Sequence, residues 1–210
     1  KVEFIQNKSL ELSLFLSLPA TAALLISSEE ITSALFGYGS FDILSVKNSA
    51  NALFYFALGL PAFALIKVFS SFLFARHNTK IPFYFSFFSV VINIFISLYF
   101  FNKIGFIIIP IATTISSWFN SLLLFVYLIS KKYFLFKRYF FSSFIKIIIT
   151  TFITTYIFYY LVNFFQSYLI YESNYKLITI ILLVITTIIL YILLSIVTKA
   201  FKISDIKLKY

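Results

Sequence analysis

From Leu177 to Val197 the chain carries no charged side chain, and five other stretches come close to that pattern: Leu10 to Ser28, Asn51 to Phe74, Pro82 to Phe101, Phe106 to Ser130 and Phe140 to Phe165. A bilayer crossing needs roughly 20 predominantly apolar residues in a helix. Each stretch meets that length with little chain between them, so the sequence predicts an all-α, polytopic membrane bundle of six transmembrane helices. Only 11% of the 210 residues are charged, against 61% apolar or aromatic. A soluble domain averages about a quarter charged.

The 17 Lys and Arg against 7 Asp and Glu do not form a nucleic-acid patch, because they gather at the ends of the apolar runs. Sorting them onto the two sides of six alternating spans puts twelve cations on one side, among them Arg76, Lys80, Lys131, Lys132, Lys137 and Arg138. The other side receives Lys47, Lys103 and Lys176, together with Glu29, Glu30, Asp42 and Glu172. Positive charge collects on the cytoplasmic face of a membrane protein, so both ends of the chain are expected in the cytoplasm. With no Cys and a single His, disulfides and multi-histidine metal sites are excluded, and no cofactor is expected. The chain starts at Lys1 and contains no Met, which reads as a segment of a longer protein.

Between the first two spans, residues 29–48 read as an interfacial loop. Glu29 and Glu30 are placed to start a short helix and Gly37 and Gly39 to end it. "ARHNTK" and "FNKIG" are tight turns, and "KKYFLFKR" is a cationic, aromatic linker suited to the membrane surface. The chain divides into residues 1–138, four spans with that loop, and 139–210, two spans followed by a basic cytoplasmic tail.

Unpaired polar groups are costly in hydrocarbon, so those within spans are candidate functional residues. Thr113, Ser116, Ser117, Asn120 and Ser121 recur at helical spacing in the fourth span. Asn93 in the third and Thr151, Thr154 and Thr155 in the fifth raise the same question. They either hold helices together or line a hydrated cavity. Tyr156, Tyr159 and Tyr160 suit an interfacial belt, and the sixth span shows no polar face. Lys67 lies about 10 Å from the cytoplasmic end of its helix at 1.5 Å per residue. It either snorkels to the headgroups or offers its charge to an anionic substrate. Lys67, Asn93 and Asn120 are therefore the candidate substrate-binding residues. Pro19, Pro61 and Pro110 fall inside spans, where each removes a backbone bond; with Gly59 they are the candidate hinges.

"LSLPATAALLISSEEITSALFGYGSF", "ALGLPAFALIKVFSSFLFARHNTKIPF" and "SVVINIFISLYFFNKIGFIIIPIATTISSWFNSLLLF" resemble the MurJ (MviN-type) lipid II flippases of bacteria, members of the multidrug/oligosaccharidyl-lipid/polysaccharide exporter superfamily. The pattern around Gly59, Pro61, Lys67, Phe74, Ala75, Thr79 and Pro82 carries most of the specificity. The resemblance implies the ninth to fourteenth helices of a fourteen-helix transporter in the bacterial inner membrane, the N-terminal lobe lying outside this segment. It implies movement of a lipid-linked disaccharide-pentapeptide precursor of peptidoglycan between leaflets by alternating access, with no covalent chemistry, and a groove for the lipid tail between the last two spans. Lys67 matches a family lysine position. "FNKIGFIIIP" departs from the family in carrying isoleucines and Pro110 where smaller residues are usual. Another exporter of the superfamily, or a truncated remnant that does not transport, are the alternative readings. A membrane enzyme acting on lipid phosphates would show clustered carboxylates or several His and Arg.

Overall fold

The computed structural model describes residues 2–200; the basic tail beyond them lies outside the described residues. Every regular element among these residues is helical: α1 (Val2–Phe36), α2 (Ile43–Ala57), α3 (Leu60–Phe74), α4 (Lys80–Ile104), a 3₁₀ turn (Gly105–Ile107), α5 (Ile108–Ser130), α6 (Arg138–Phe164), the single turn α7 (Gln166–Leu169) and α8 (Lys176–Val197). Five helical runs are long and apolar enough to cross a membrane. The longest, Lys80–Ser130, contains two helices that fold back on each other. Asn93 meets Thr113, Ser86 meets Asn120 and Phe85 meets Tyr127, and partners that rise on one helix as they fall on the other are the mark of an antiparallel pair. Gly105, at φ 76° and ψ −157°, makes the reversal in a region essentially closed to other residues. Taken as two helices, this run brings the apolar helices close to the expected six.

The helices outrun their apolar cores. α1 begins at Val2, well before Leu10, because its early polar residues find local partners: Lys8 Nζ lies 2.6 Å from Glu11 Oε2. At the other end α1 continues to Phe36 across one residue with non-helical dihedrals, Ser27 (φ −122°, ψ 29°), whose hydroxyl donates back to the Ala23 carbonyl at 2.8 Å. Glu29 and Glu30 thus open the last turns of α1 and Gly37 follows its end. α2 starts at Ile43, earlier than its apolar run, with Asp42 accepting the Ser45 amide at 2.8 Å as an N-cap. Hydrogen bonds from the Ser45 side chain, and then from its amide, hold the Asp42 carboxyl below the usual carboxylate range.

Two compact units divide the chain: Lys1–Ser17 with Ala52–Lys137, and Leu18–Asn51 with Arg138–Tyr210. In the first, α5 packs between α3 and α4, with Leu73, Leu124 and Leu128 wholly buried. Phe69 lies 5.8 Å from Phe125. Phe134 of the 131–138 linker is buried and stacks on Phe72 at 5.9 Å and 14°, so this ring anchors the linker in the unit while Lys131, Lys132, Leu135, Lys137 and Arg138 stay exposed. The second unit joins α6 and α8 around a cluster of Ala34, Phe158, Val162, Leu169, Ile180 and Leu183. α8 does carry a polar face after all. Tyr191, Ser195 and Thr198 fall at 4- and 3-residue spacing, Tyr191 and Ser195 are buried, and Thr198 Oγ1 meets Thr150 Oγ1 at 3.0 Å. The outward residues are apolar, with Phe164, Leu98 and Phe152 at 80%, 73% and 72% exposure, the inverse of a water-facing surface.

Three helices end in the same way. After α3, α5 and α8 a residue takes the left-handed conformation, His77, Lys132 and Lys199 at φ 56°, 56° and 55°. The following amide then bonds back five residues: Asn78 to Leu73 at 3.0 Å, Tyr133 to Leu128 at 2.8 Å and Ala200 to Ser195 at 3.0 Å. This is the Schellman closure, usually completed by Gly because other residues clash there. Lys132→Gly is expected to stabilise the fold by roughly 0.5–1 kcal/mol, seen as a rise of a few degrees in the unfolding temperature in detergent. A fall would show that the ammonium at the helix C-terminus outweighs the strain.

Candidate functional site

The α3–α4 turn borders a shallow, open cleft of about 650 Å³ lined by Ser70, Phe74, Thr79, Lys80, Tyr84 and Ser86, together with Pro82 and Phe83. The turn itself is built by His77 and by Asn78, whose Oδ1 accepts the Ile81 amide at 3.3 Å and starts α4. Pro82 sits in the first turn of α4, where its missing N–H costs little. Lys67 is exposed. It lies three residues before Ser70 and seven before Phe74, hence on the same α3 face one turn further along. It donates no hydrogen bond among the described residues.

The sequence-predicted polar residues separate into two places. Asn120 is 6% exposed; its Nδ2 donates to Ser86 Oγ at 3.3 Å, and Ser86 lines the cleft. Its Oδ1 is buried with no partner. Asn93 lies seven residues beyond Ser86 on α4, about 10 Å along the helix, and is held in the α4–α5 seam by Thr113 Oγ1 at 3.0 Å and Ser116 Oγ at 3.4 Å. Neither Lys67 nor Asn120 lines the cleft itself: Lys67 lies a turn along α3 from Ser70 and Asn120 stands behind Ser86, while Asn93 is engaged elsewhere in the seam. Thr154 and Thr150 bond their own helix carbonyls at 2.9 and 2.8 Å.

Of the three prolines, Pro19 lies within α1. Pro61 is the second residue of α3 and Pro110 the third of α5, positions whose amides have no intrahelical partner in any case. The second span is accordingly two helices meeting at Leu58 and Gly59 rather than one bent helix. Thr114 Oγ1 donates to the Tyr55 carbonyl at 2.6 Å and Trp118 Nε1 to the Leu58 carbonyl at 3.0 Å, filling two acceptors that the break exposes.

Two clusters have no counterpart in the sequence reading. Lys176, sorted above as a surface cation, is 2% exposed. Its ammonium donates to the carbonyls of Gly37 at 2.6 Å and Tyr171 at 2.7 Å, and lies 4.4 and 4.5 Å from the ring centres of Tyr38 and Tyr171. At the other unit's linker, Gln6 Nε2 and Arg76 Nη2 both donate to the Tyr133 carbonyl, at 3.1 and 2.9 Å. Asn7 bonds Leu135 and Lys137. The only sequence signal was residue type: Asn and Gln at a span's entrance, and tyrosines flanking Lys176.

Among the described residues no three carboxylate or histidine side chains converge as a metal set. The cleft offers an ammonium from Lys80 and the hydroxyls of Ser70, Thr79, Tyr84 and Ser86. Such a set can hold anionic oxygens by charge and hydrogen bonding, and it contains no nucleophile paired with a base.

An apolar helical bundle with cations at a cleft defines a polytopic membrane protein. The chain belongs to the family of the lipid II flippase MurJ, whose family model matches residues 1–181. A probable lipid II flippase MurJ of Rhizobium meliloti (strain 1021) is 42% identical over 125 residues, 60% of this chain and 23% of the relative. That of Rickettsia prowazekii (strain Madrid E) is 38% identical over 123 residues, 59% of this chain and 24% of the relative. The chain therefore spans less than a quarter of the length of these two relatives. A solved lipid II flippase MurJ in an inward closed conformation has the same fold, with a TM-score of 0.75 at 24% identity, covering 94% of this chain and 39% of that one.

Proposed function

We propose that the chain supplies the C-terminal helices of a transporter that moves lipid II, the lipid-linked disaccharide-pentapeptide precursor, from the cytoplasmic to the outer leaflet of the bacterial inner membrane by alternating access. The family match across residues 1–181 carries this reading. The charge sorting supports cytoplasmic placement of both ends, with residues 29–48 near the opposite interface. An N-terminal lobe completes the transporter, α6 and α8 provide the groove for the lipid tail, and no covalent step is catalysed. Lys67 presents its charge to the pyrophosphate that joins lipid and sugar in such a precursor, with Asn120 behind Ser86 of the cleft wall and Asn93 further along the α4–α5 seam. Pro19, Gly59, Pro61 and Pro110 mark where its helices flex.

Complementation of a flippase-depleted strain tests both levels. The complete transporter carrying the native sequence is expected to restore growth, and failure to do so removes the flippase reading. Lys67→Ala is expected to weaken substrate binding about tenfold or more, the scale of one charge-assisted hydrogen bond, and to slow growth at unchanged membrane abundance. Growth equal to the native transporter would leave Lys67 as a side chain that merely reaches the headgroups.

A further inference from the structure

The joint between α2 and α3 is held open from outside. In an unbroken helix the Gly59 amide would bond the Tyr55 carbonyl, four residues back. Here it bonds Phe56 at 2.9 Å, and Tyr55 instead receives the Thr114 hydroxyl. The Leu58 carbonyl receives the Trp118 indole. Thr114 and Trp118 stand one turn apart on the same face of α5. Their approach needs a glycine opposite: a Cβ on Gly59 would lie 3.0 Å from Thr114 Oγ1 and 3.1 Å from the Phe63 ring.

Each of these bonds has a competitor within reach. The Tyr55 carbonyl can take the Gly59 amide if the helix closes across the joint. The released Thr114 hydroxyl can turn to the Pro110 carbonyl four residues back, as its neighbour Thr113 does to Ile109 at 2.8 Å. The Leu58 carbonyl can take the Ala62 amide, four residues on, in place of the Trp118 indole. Pro61 has no amide hydrogen, so the Ala57 carbonyl lacks its helical partner in either shape. The exchange leaves the hydrogen-bond count nearly unchanged, which is the condition for a bistable element.

We propose that Thr114 and Trp118 form a latch that holds the hydrogen-bond ladder broken at the α2–α3 joint, and that its release closes the helix across the joint. The inference concerns a conformational step and does not depend on which substrate is carried. The chain has no native cysteine, so spin labels at Phe54→Cys and Ser71→Cys, both exposed, report the joint alone when the 210-residue chain is placed in lipid nanodiscs. The Thr114→Val/Trp118→Phe variant, which keeps side-chain bulk and removes both donors, is expected to shift the population about tenfold or more toward the label separation of a continuous helix, on the scale of two lost hydrogen bonds. Thr114→Ser is expected to retain the native distribution. An unchanged distribution in the folded double variant overturns the latch. If that variant fails to insert, the native chain supplies the test, because Trp118 is its one tryptophan. Two exchanging ¹⁵N-indole signals are then expected, and a single signal insensitive to temperature overturns the proposal.

Discussion

Lys176→Met is expected to loosen the turn that follows α1, with a loss of about 2–4 kcal/mol on the scale set by two orphaned buried carbonyls at 1–3 kcal/mol each. Methionine keeps the unbranched stem but donates nothing to Gly37 or Tyr171, and it gives up the two ring contacts, which strengthen when a cation is desolvated. The opposing term is real, since removing a buried ammonium also removes its desolvation cost. The geometry decides the sign: this ammonium has two short hydrogen bonds and two aromatic faces, so its desolvation is largely compensated, whereas the carbonyls left behind would have nothing. The phenol of Tyr171 donates to the Phe41 carbonyl at 2.8 Å, so the disturbance should spread across residues 37–41. Hydrogen exchange at Gly37 to Phe41 is expected to accelerate while the α6 amides keep their protection. Unchanged exchange would show that packing alone closes the turn.

The all-helical, membrane-spanning character of the chain was legible because a helix in hydrocarbon satisfies its own backbone, leaving length and apolarity as the deciding variables. What escaped depends on partners far along the chain. A cation at the edge of a span reads as interfacial, and Lys176 becomes buried only because Gly37 and Tyr38, well over a hundred residues earlier, fold against it. Pro61 was readable as a break, yet whether it bends one helix or separates two is set by donors on α5. Pro110 read as interior because the apolar run begins at Phe106; the 3₁₀ turn after Gly105 moves the helix start to Ile108 and puts the proline in its first turn. The polar face of α8 was missed because Tyr191, Ser195 and Thr198 are sparse in a sequence of Ile and Leu, and only the matching threonine on α6 gives them meaning. For the candidate site, the sequence singled out Lys67 and Asn120, whereas the link between Asn120 and the cleft runs through Ser86, which nothing in its spacing marked.

Asn7→Ala is expected to free the 131–138 linker, with the largest effect of any single polar substitution in the first unit. Asn7 is wholly buried. Its Nδ2 donates to the Leu135 carbonyl at 2.9 Å as well as to Glu3 at 2.8 Å, and its Oδ1 accepts the Lys137 amide at 3.1 Å. Alanine therefore strands one acceptor and one donor of the linker backbone and leaves a void where the buried amide stood, a combined cost of about 2–4 kcal/mol. Asn7→Asp is no rescue, because it keeps the acceptor for Lys137 but turns a carboxylate toward the Leu135 carbonyl. Gln6→Ala should matter much less, since Arg76 continues to donate to Tyr133 and lies over its ring at 4.8 Å. Lys131, Lys132, Lys137 and Arg138 make the linker a tryptic substrate once it opens. Opening free energies lowered by 1–2 kcal/mol raise cleavage roughly 5- to 30-fold when reclosing is fast. Cleavage in Asn7→Ala is therefore expected to rise by at least that factor, with Gln6→Ala near the native rate. Equal rates in the two variants would mean that the stacking of Phe134 on Phe72, and not the asparagine, holds the linker in its seat.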